Sequence, residues 1–219
     1  MQRSTPNITF ETDDESGSLH VSIATERLYM ESVAPDYLND YSNLFGNTEI
    51  MAKFADGKLW AAAKTKTRVD TWITRWHEND PFSSLAVFKN DNDKFIGHVV
   101  LGHGDVPGQS ELAYVFDKSI WGKGFGKEAV STVVKEYAPE LVQHGYQVDG
   151  KPFLSITATS RQDNEASVKI LKSTWMSIVK EEVKYEHNRS IFFISTSELC
   201  ERHNSHIVED KKATSSKKL

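Results

Sequence analysis

Apolar positions recur along this chain with a period of two in some stretches and near 3.6 in others, and the two periods predict strands and helices. Arg27 to Val33 is predicted as a first strand. Asp36 to Phe45 and Ala61 to His77 are predicted as helices; Val69, Trp72, Ile73 and Trp76 form a stripe on the second that reads as core. Ser84 to Phe88 and Lys94 to Leu101 are predicted to pair as a hairpin across Asn90-Asp91-Asn92-Asp93. Glu111 to Phe116 is a further strand, followed by a glycine-rich segment and a helix over Lys127 to Tyr137. Phe153 to Thr159 is a strand, with a helix opened by Asn164 after it. Met176 to Tyr185 and Arg189 to Thr196 are predicted to form a terminal hairpin across Glu186-His187-Asn188. The turn-rich stretch between Pro139 and Pro152 reads as a connection. Residues 1–20 read as a flexible polar arm, 21–204 as one domain and 205–219 as a polar, Lys-rich tail. No internal repeat is visible. The fold class expected is α/β (α+β), a mixed, mainly antiparallel sheet flanked by helices.

Composition narrows the classes. At 219 residues the chain suits one domain with a good core. Its 38% hydrophobic and 11% aromatic content is ordinary for a soluble globular protein. No apolar run approaches a membrane span, and the polar start does not read as a secretory signal. The single Cys200 cannot close an internal disulfide and reads as a structural thiol, which fits a reducing cytoplasm. The net charge is −5, and the tail from Glu209 is basic, so the body is more acidic still. Such a body disfavours direct nucleic-acid binding and mildly attracts a cationic acceptor such as an amine. Monomer and homodimer both remain open.

The chemistry concentrates in Trp121-Gly122-Lys123-Gly124-Phe125-Gly126-Lys127-Glu128-Ala129. Alternate glycines let the backbone turn several N–H groups toward one point, and the following helix adds its unpaired amides and dipole. A strand, a glycine loop and a helix N-terminus form a phosphate-sized anion site. The spacing then excludes. In a nucleotide-hydrolysing P-loop a hydroxyl follows Gly-Lys, and here Glu128 stands in its place. The dinucleotide fingerprint G-x-G-x-x-G does not match G-x-G-x-G past the chain's midpoint. A plain strand-to-helix turn without a ligand is the alternative reading of the loop by itself. The eight histidines contain pairs, His98 with His103 and His203 with His206, but no third ligand at zinc-like spacing, so no metal is expected. No G-x-S-x-G nucleophile elbow is present.

A second motif lies downstream, Asn164-Glu165-Ala166-Ser167, at the start of the next helix. Together with the glycine loop and Thr25-Glu26-Arg27-Leu28-Tyr29-Met30, it resembles the GNAT superfamily of acyl-CoA-dependent N-acyltransferases. The branch is that of the ribosomal-protein N-terminal acetyltransferases (RimJ/RimL-like). Trp121 holds the first position of the pyrophosphate loop, with Gly124 and Gly126 as its glycines, and Asn164 and Ser167 match N-x-x-S. The resemblance covers roughly residues 24 to 195 and implies acetyl-CoA as co-substrate and a primary amine as acceptor. It implies that Trp121, Gly122, Lys123, Gly124, Phe125, Gly126 and Lys127 hold the pyrophosphate. Pantetheine would run antiparallel to Tyr114-Val115-Phe116 at a splay between two strands, where a backbone N–H would meet the thioester oxygen. Glu111 is then the candidate base, acting directly or through water. Ser167 is the candidate donor to the departing sulfur, with Asn164 beside it on the coenzyme. The bland alternatives are a solvent-facing Glu111, an N-cap Asn164 and an ordinary first-turn Ser167. Two positions depart from the family pattern: Trp175 replaces the usual glycine after this helix, and Leu171 the usual tyrosine seven residues after the asparagine. The functions implied are acetylation of a protein N-terminal α-amine, acetylation of a small amine (a polyamine, amino acid or amine antibiotic), or a non-catalytic acyl-CoA-binding module.

Overall fold

A computed structural model describes the backbone of residues 5–215 and the side chains through Val208. The expected arm is a strand instead. Asn7–Thr12 (β1) pairs antiparallel with Leu19–Ala24 (β2), setting Ile8 opposite Ile23 and Phe10 opposite Val21. Ile8 and Phe10 carry a period-two pattern that the acidic composition around them obscures. Phe10 stacks on His144 with ring centroids 4.5 Å apart. Of the expected arm, residues 1–4 lie outside the described residues.

Leu28–Ser32 (β3) follows, then a 3-10 turn leads into Leu38–Phe45 (α1). Thr48–Met51 (α2) is a single turn capped by Asn47, whose Oδ1 accepts from the Glu49 and Ile50 amides. Ala62–His77 (α3) buries Thr65, Val69, Trp72 and Trp76, and Ile73 sits at the edge of that stripe. Ser84–Lys89 (β4), Phe95–His103 (β5) and Gln109–Phe116 (β6) form a meander.

Phe125–Thr132 (α4) passes through a π-helical turn, Val133–Tyr137, into Ala138–Gln143 (α5). The helix therefore runs beyond Tyr137. Pro139 cannot donate to a carbonyl four residues back and its ring would strike that carbonyl. The wider turn absorbs the mismatch, with Ala138 N–H bonded to Val133 O. The connection beyond Gln143 carries a short hairpin, Gln147–Val148 (β7) with Lys151–Pro152 (β8).

Ser155–Arg161 (β9), Glu165–Ser173 (α6), Ser177–Lys184 (β10), His187–Ser195 (β11) and Thr196–Ser215 (α7) complete the chain. The terminal hairpin turns through Tyr185 and Glu186, both left-handed, so His187 pairs with Lys184 and belongs to β11. The expected tail is helical through Ser215; residues 216–219 lie outside the described residues. The folded body therefore extends past the expected 21–204 boundaries at both ends.

The main sheet has nine strands in the order β1-β2-β3-β4-β5-β6-β9-β11-β10, and β6–β9 is its parallel pair. That pair is short: Gln109, Ser110 and Glu111 lie opposite Ser155, Ile156 and Thr157, and the strands then part. Gly97 on β5 explains which way β6 goes. A Cβ there would lie 2.2 Å from Val115 O, so only glycine lets β5 hold the end of β6 this closely. β6 follows β5, and the gap opens toward β9. Helices α1 and α3 cover one face of the sheet, and α4 and α6 the other, with Gly126 of α4 against the Phe116 ring.

Candidate active site

The gap between β6 and β9 leads to the glycine loop. Gly122 and Gly124 take positive φ of 72° and 83°, where a side chain would strain the backbone. Gly124 is the N-cap of α4. Among the described residues no acceptor takes the amides of Gly124, Phe125, Gly126 or Lys127, while the Glu128 N–H turns back on Gly124 O at 3.0 Å. Four converging donors and a helix N-terminus suit an anion.

The two lysines of the loop differ. Lys123 Nζ donates to Ser119 O at 2.8 Å, whereas Lys127 is exposed and without a hydrogen bond or ion pair among the described residues. The Phe125 ring lies under the Arg27 guanidinium, 4.4 Å from its centroid, so only its backbone faces the loop's concavity. Arg27 binds Glu128 at 2.5 Å and donates to Lys123 O at 3.1 Å, and so ties the loop to β3. Its position in Thr25-Glu26-Arg27-Leu28 marked a strand, but its grip on the loop had no signal in the sequence.

The Asp117 N–H bonds Ile96 O at 2.8 Å, which sets the alternation along β6. Val115 spends its main-chain groups on β5 and buries its side chain, so of the three expected pantetheine partners it is the one turned away. Leu112, Tyr114 and Phe116 direct theirs toward β9, and beyond Glu111 no residue of β9 stands opposite. Trp121 Nε1 donates to the Phe116 carbonyl at 3.0 Å. Tyr114 is left with its main chain in the gap. Its side chain crosses to α6, where the hydroxyl lies 2.8 Å from Ser167 Oγ. Burial pushes the Tyr114 phenol well above its ordinary pKa and keeps it protonated.

Asn164 is the N-cap of α6, with its Oδ1 accepting from Ser167 N–H at 3.3 Å. Its carboxamide NH₂ has no acceptor among the described residues. Leu171 is buried in the core. Trp175 stands in the left-handed region at φ 70°, the conformation a glycine would adopt, so the chain leaves α6 in the expected way without the expected residue.

Glu111 sits at the last β6–β9 pair, on the opposite face from Tyr114. The side chain is exposed, yet the walls around it remove part of the carboxylate's hydration and raise its pKa above the ordinary value. Asp105 adds to the rise, while Lys184, Arg189 and Arg68 oppose it. A strap over residues 46–60 covers this face. Glu49 pairs with Lys118 at 2.6 Å at one end, and the Ala52 and Ala55 carbonyls accept from Arg161 and Arg189 at the other. The histidine pairs separate: His98 is buried under α1 and α3, and His103 bonds Asp80 and Asp149 at 2.7 Å each.

Glu111 and Ser167 therefore lie on opposite sides of one gap, and the nest of amides lies at its open end.

Known proteins share the fold. Residues 27–176 match the family described as acetyltransferase (GNAT) domain. A GNAT-family acetyltransferase from Bacillus anthracis superposes with a TM-score of 0.64 at 15% identity, over 80% of this chain and 98% of that one. The ribosomal-protein-S5-alanine acetyltransferase from Vibrio fischeri gives 0.63 at 16%, over 80% and 96%. A spermidine N-acetyltransferase from Vibrio cholerae, in complex with CoA and spermine, gives 0.62 at 14%, over 78% and 97%. At these identities the likeness is one of fold. The family match, however, spans most of the chain and takes in both sides of the splay, from Arg27 to Met176. The chain belongs to the acetyltransferase (GNAT) domain family and is an acetyl-CoA-dependent N-acetyltransferase.

Proposed function

We propose that the acceptor is an α-amino group, as at a protein N-terminus, and that Glu111 is the base that receives its proton. The observation that carries this is the placement of Glu111 at the closed end of the splay with its pKa raised by lost hydration. A carboxylate remains a weak base even so. It suits an amine titrating near 7.7–8.0, as an α-amino group does, far better than a lysine-like amine near 10.4. In the reaction the amine nitrogen bonds to the thioester carbon, its proton passes to Glu111 directly or through water, and the carbon–sulfur bond breaks. Ser167, its hydroxyl fixed by the Tyr114 phenol, donates a hydrogen bond toward the departing sulfur. The amides of Gly124 to Lys127 and the Lys127 ammonium hold the pyrophosphate, and the main chain of Tyr114 pairs with the pantetheine arm.

The chain path at Trp175 is the one a glycine would give, which removes one of the two departures, Trp175 and Leu171, that would favour a binding module without catalysis. Location of the acetyl group by mass spectrometry tests the reading. A peptide with a free Ser or Ala α-amine and an internal lysine is expected to be modified at the α-amine. Acetylation confined to the lysine would refute the α-amine assignment, and tight coenzyme binding without turnover of any amine would refute catalysis.

A further inference from the structure

On the Glu111 face, three cations lie near the splay, Arg189 and Lys184 on the side where β6 and β9 part, and none has a carboxylate within 4.0 Å among the described residues. Strand register places two of them. Glu111 shares its face with Thr157. Alternation along β9 carries that face to Arg161, whose partner on β11 is Arg189. Lys184, opposite His187, lies on it too. Arg68 comes from α3, the helix laid over this face. All three act on the charge of Glu111, against one acid, Asp105. Neighbouring cations on the same face are neutralised within the chain: Arg161 by Asp163 at 2.7 Å and Lys180 by Glu182 at 2.8 Å. Arg189 is the most telling. It is only 5% exposed, yet its guanidinium bonds neutral oxygens, Ala55 O and Thr159 Oγ1, both at 3.1 Å, and its Nε is unsatisfied. Glu182, opposite Arg189 in the register, and Glu111 lie close enough to favour its charge but neither touches it, so an incoming carboxylate would supply the direct contact the guanidinium lacks.

We propose that the acceptor carries a carboxylate close to its amine, that Arg189, Lys184 and Arg68 recognise it, and that the cleft selects acidic acceptors over polycationic ones. This rests on the reading of Glu111 as the acceptor end of the splay. The local field thus runs against the net charge of the whole chain. Acidic peptide N-termini and free acidic amino acids share the required chemistry.

The test is kcat/KM with acetyl-CoA for Ala-Glu-Glu-Gly-amide, Ala-Lys-Lys-Gly-amide, free glutamate and spermidine at fixed ionic strength. The acidic peptide is expected to exceed the lysine peptide and spermidine by tenfold or more. Arg68→Gln and Lys184→Gln, both at exposed positions, are each expected to reduce the acidic-to-lysine ratio by about two- to fivefold, as is usual for exposed charges. Added salt should reduce it further. A peptide ahead of glutamate places the carboxylate on a protein N-terminus, and glutamate ahead places it on a small acceptor. Equal or better turnover of spermidine or the lysine peptide overturns this proposal while leaving acetyl transfer standing, as does a ratio unmoved in the double variant. Acetyl-CoA binding with no amine turned over overturns both.

Discussion

Glu111 carries a conflict that can be measured. As the proposed base it must be ionised to accept a proton, and the folded cleft penalises that form. For a carboxyl whose folded pKa lies above its unfolded value, the folded state binds its proton more tightly. Its contribution to stability is then present at low pH and lost as pH rises through the folded pKa. Glu111→Gln is therefore expected to melt at a higher temperature than the parent at neutral pH. The same variant should lose about 100-fold or more in kcat, with partial recovery at high pH where the amine loses its proton unaided. Asp105→Asn removes an influence that raises the Glu111 pKa. The acid limb of its kcat/KM profile should move to lower pH, and that of Lys184→Gln to higher pH. A profile unmoved in both would remove Glu111 from the role of base.

The end of α6 shows how an element keeps its geometry when its usual residue is missing. A left-handed non-glycine residue costs about 1–2 kcal/mol. The indole offsets this by packing against the core and lying under the Lys135 ammonium, 4.3 Å from the ring centroid. Trp175→Ala keeps the strain and loses the packing, whereas Trp175→Gly loses both. The alanine variant should therefore be the less stable by roughly 1 kcal/mol in denaturant titrations. If alanine equals or exceeds glycine, the left-handed backbone at this position is wrong. The legibility of the other elements follows the same physics. The glycine loop and the Asn164 cap could be read from the chain because each depends on local backbone rules. The strand β1 could not, because Ile8 and Phe10 gain their partners only from Ile23, Val21 and His144. The grip of Arg27 on the loop and the placement of Arg189 also escaped notice: their contacts span 96 and 134 residues of chain.

At the scale of the whole molecule, the sheet face that carries Glu111 also carries a weakness. His98 is buried between Tyr41, Phe45 and Trp72, and burial pushes its pKa down from 6.5 to about 3. Its Nδ1 lies 3.1 Å from Ser84 Oγ, and Nε2 is unsatisfied. The unfolded imidazole takes up a proton near 6.5 and the folded one only near 3, so stability is lost as pH falls through that interval. Each unit costs about 1.4 kcal/mol from this group. His98→Phe should flatten the fall of melting temperature between pH 6.5 and 4, relative to the parent. An unchanged slope would show that the imidazole is already protonated in the fold.

The indole of Trp121 links the end of β6 to the start of the anion nest. Among the five tryptophans it is the most exposed, at 47%. That makes it an optical gauge. Ligand seated on the loop changes the surroundings of one indole while Trp72 and Trp76 stay in the core, so occupancy of the nest reads out as a change in ultraviolet emission, with no label and no turnover.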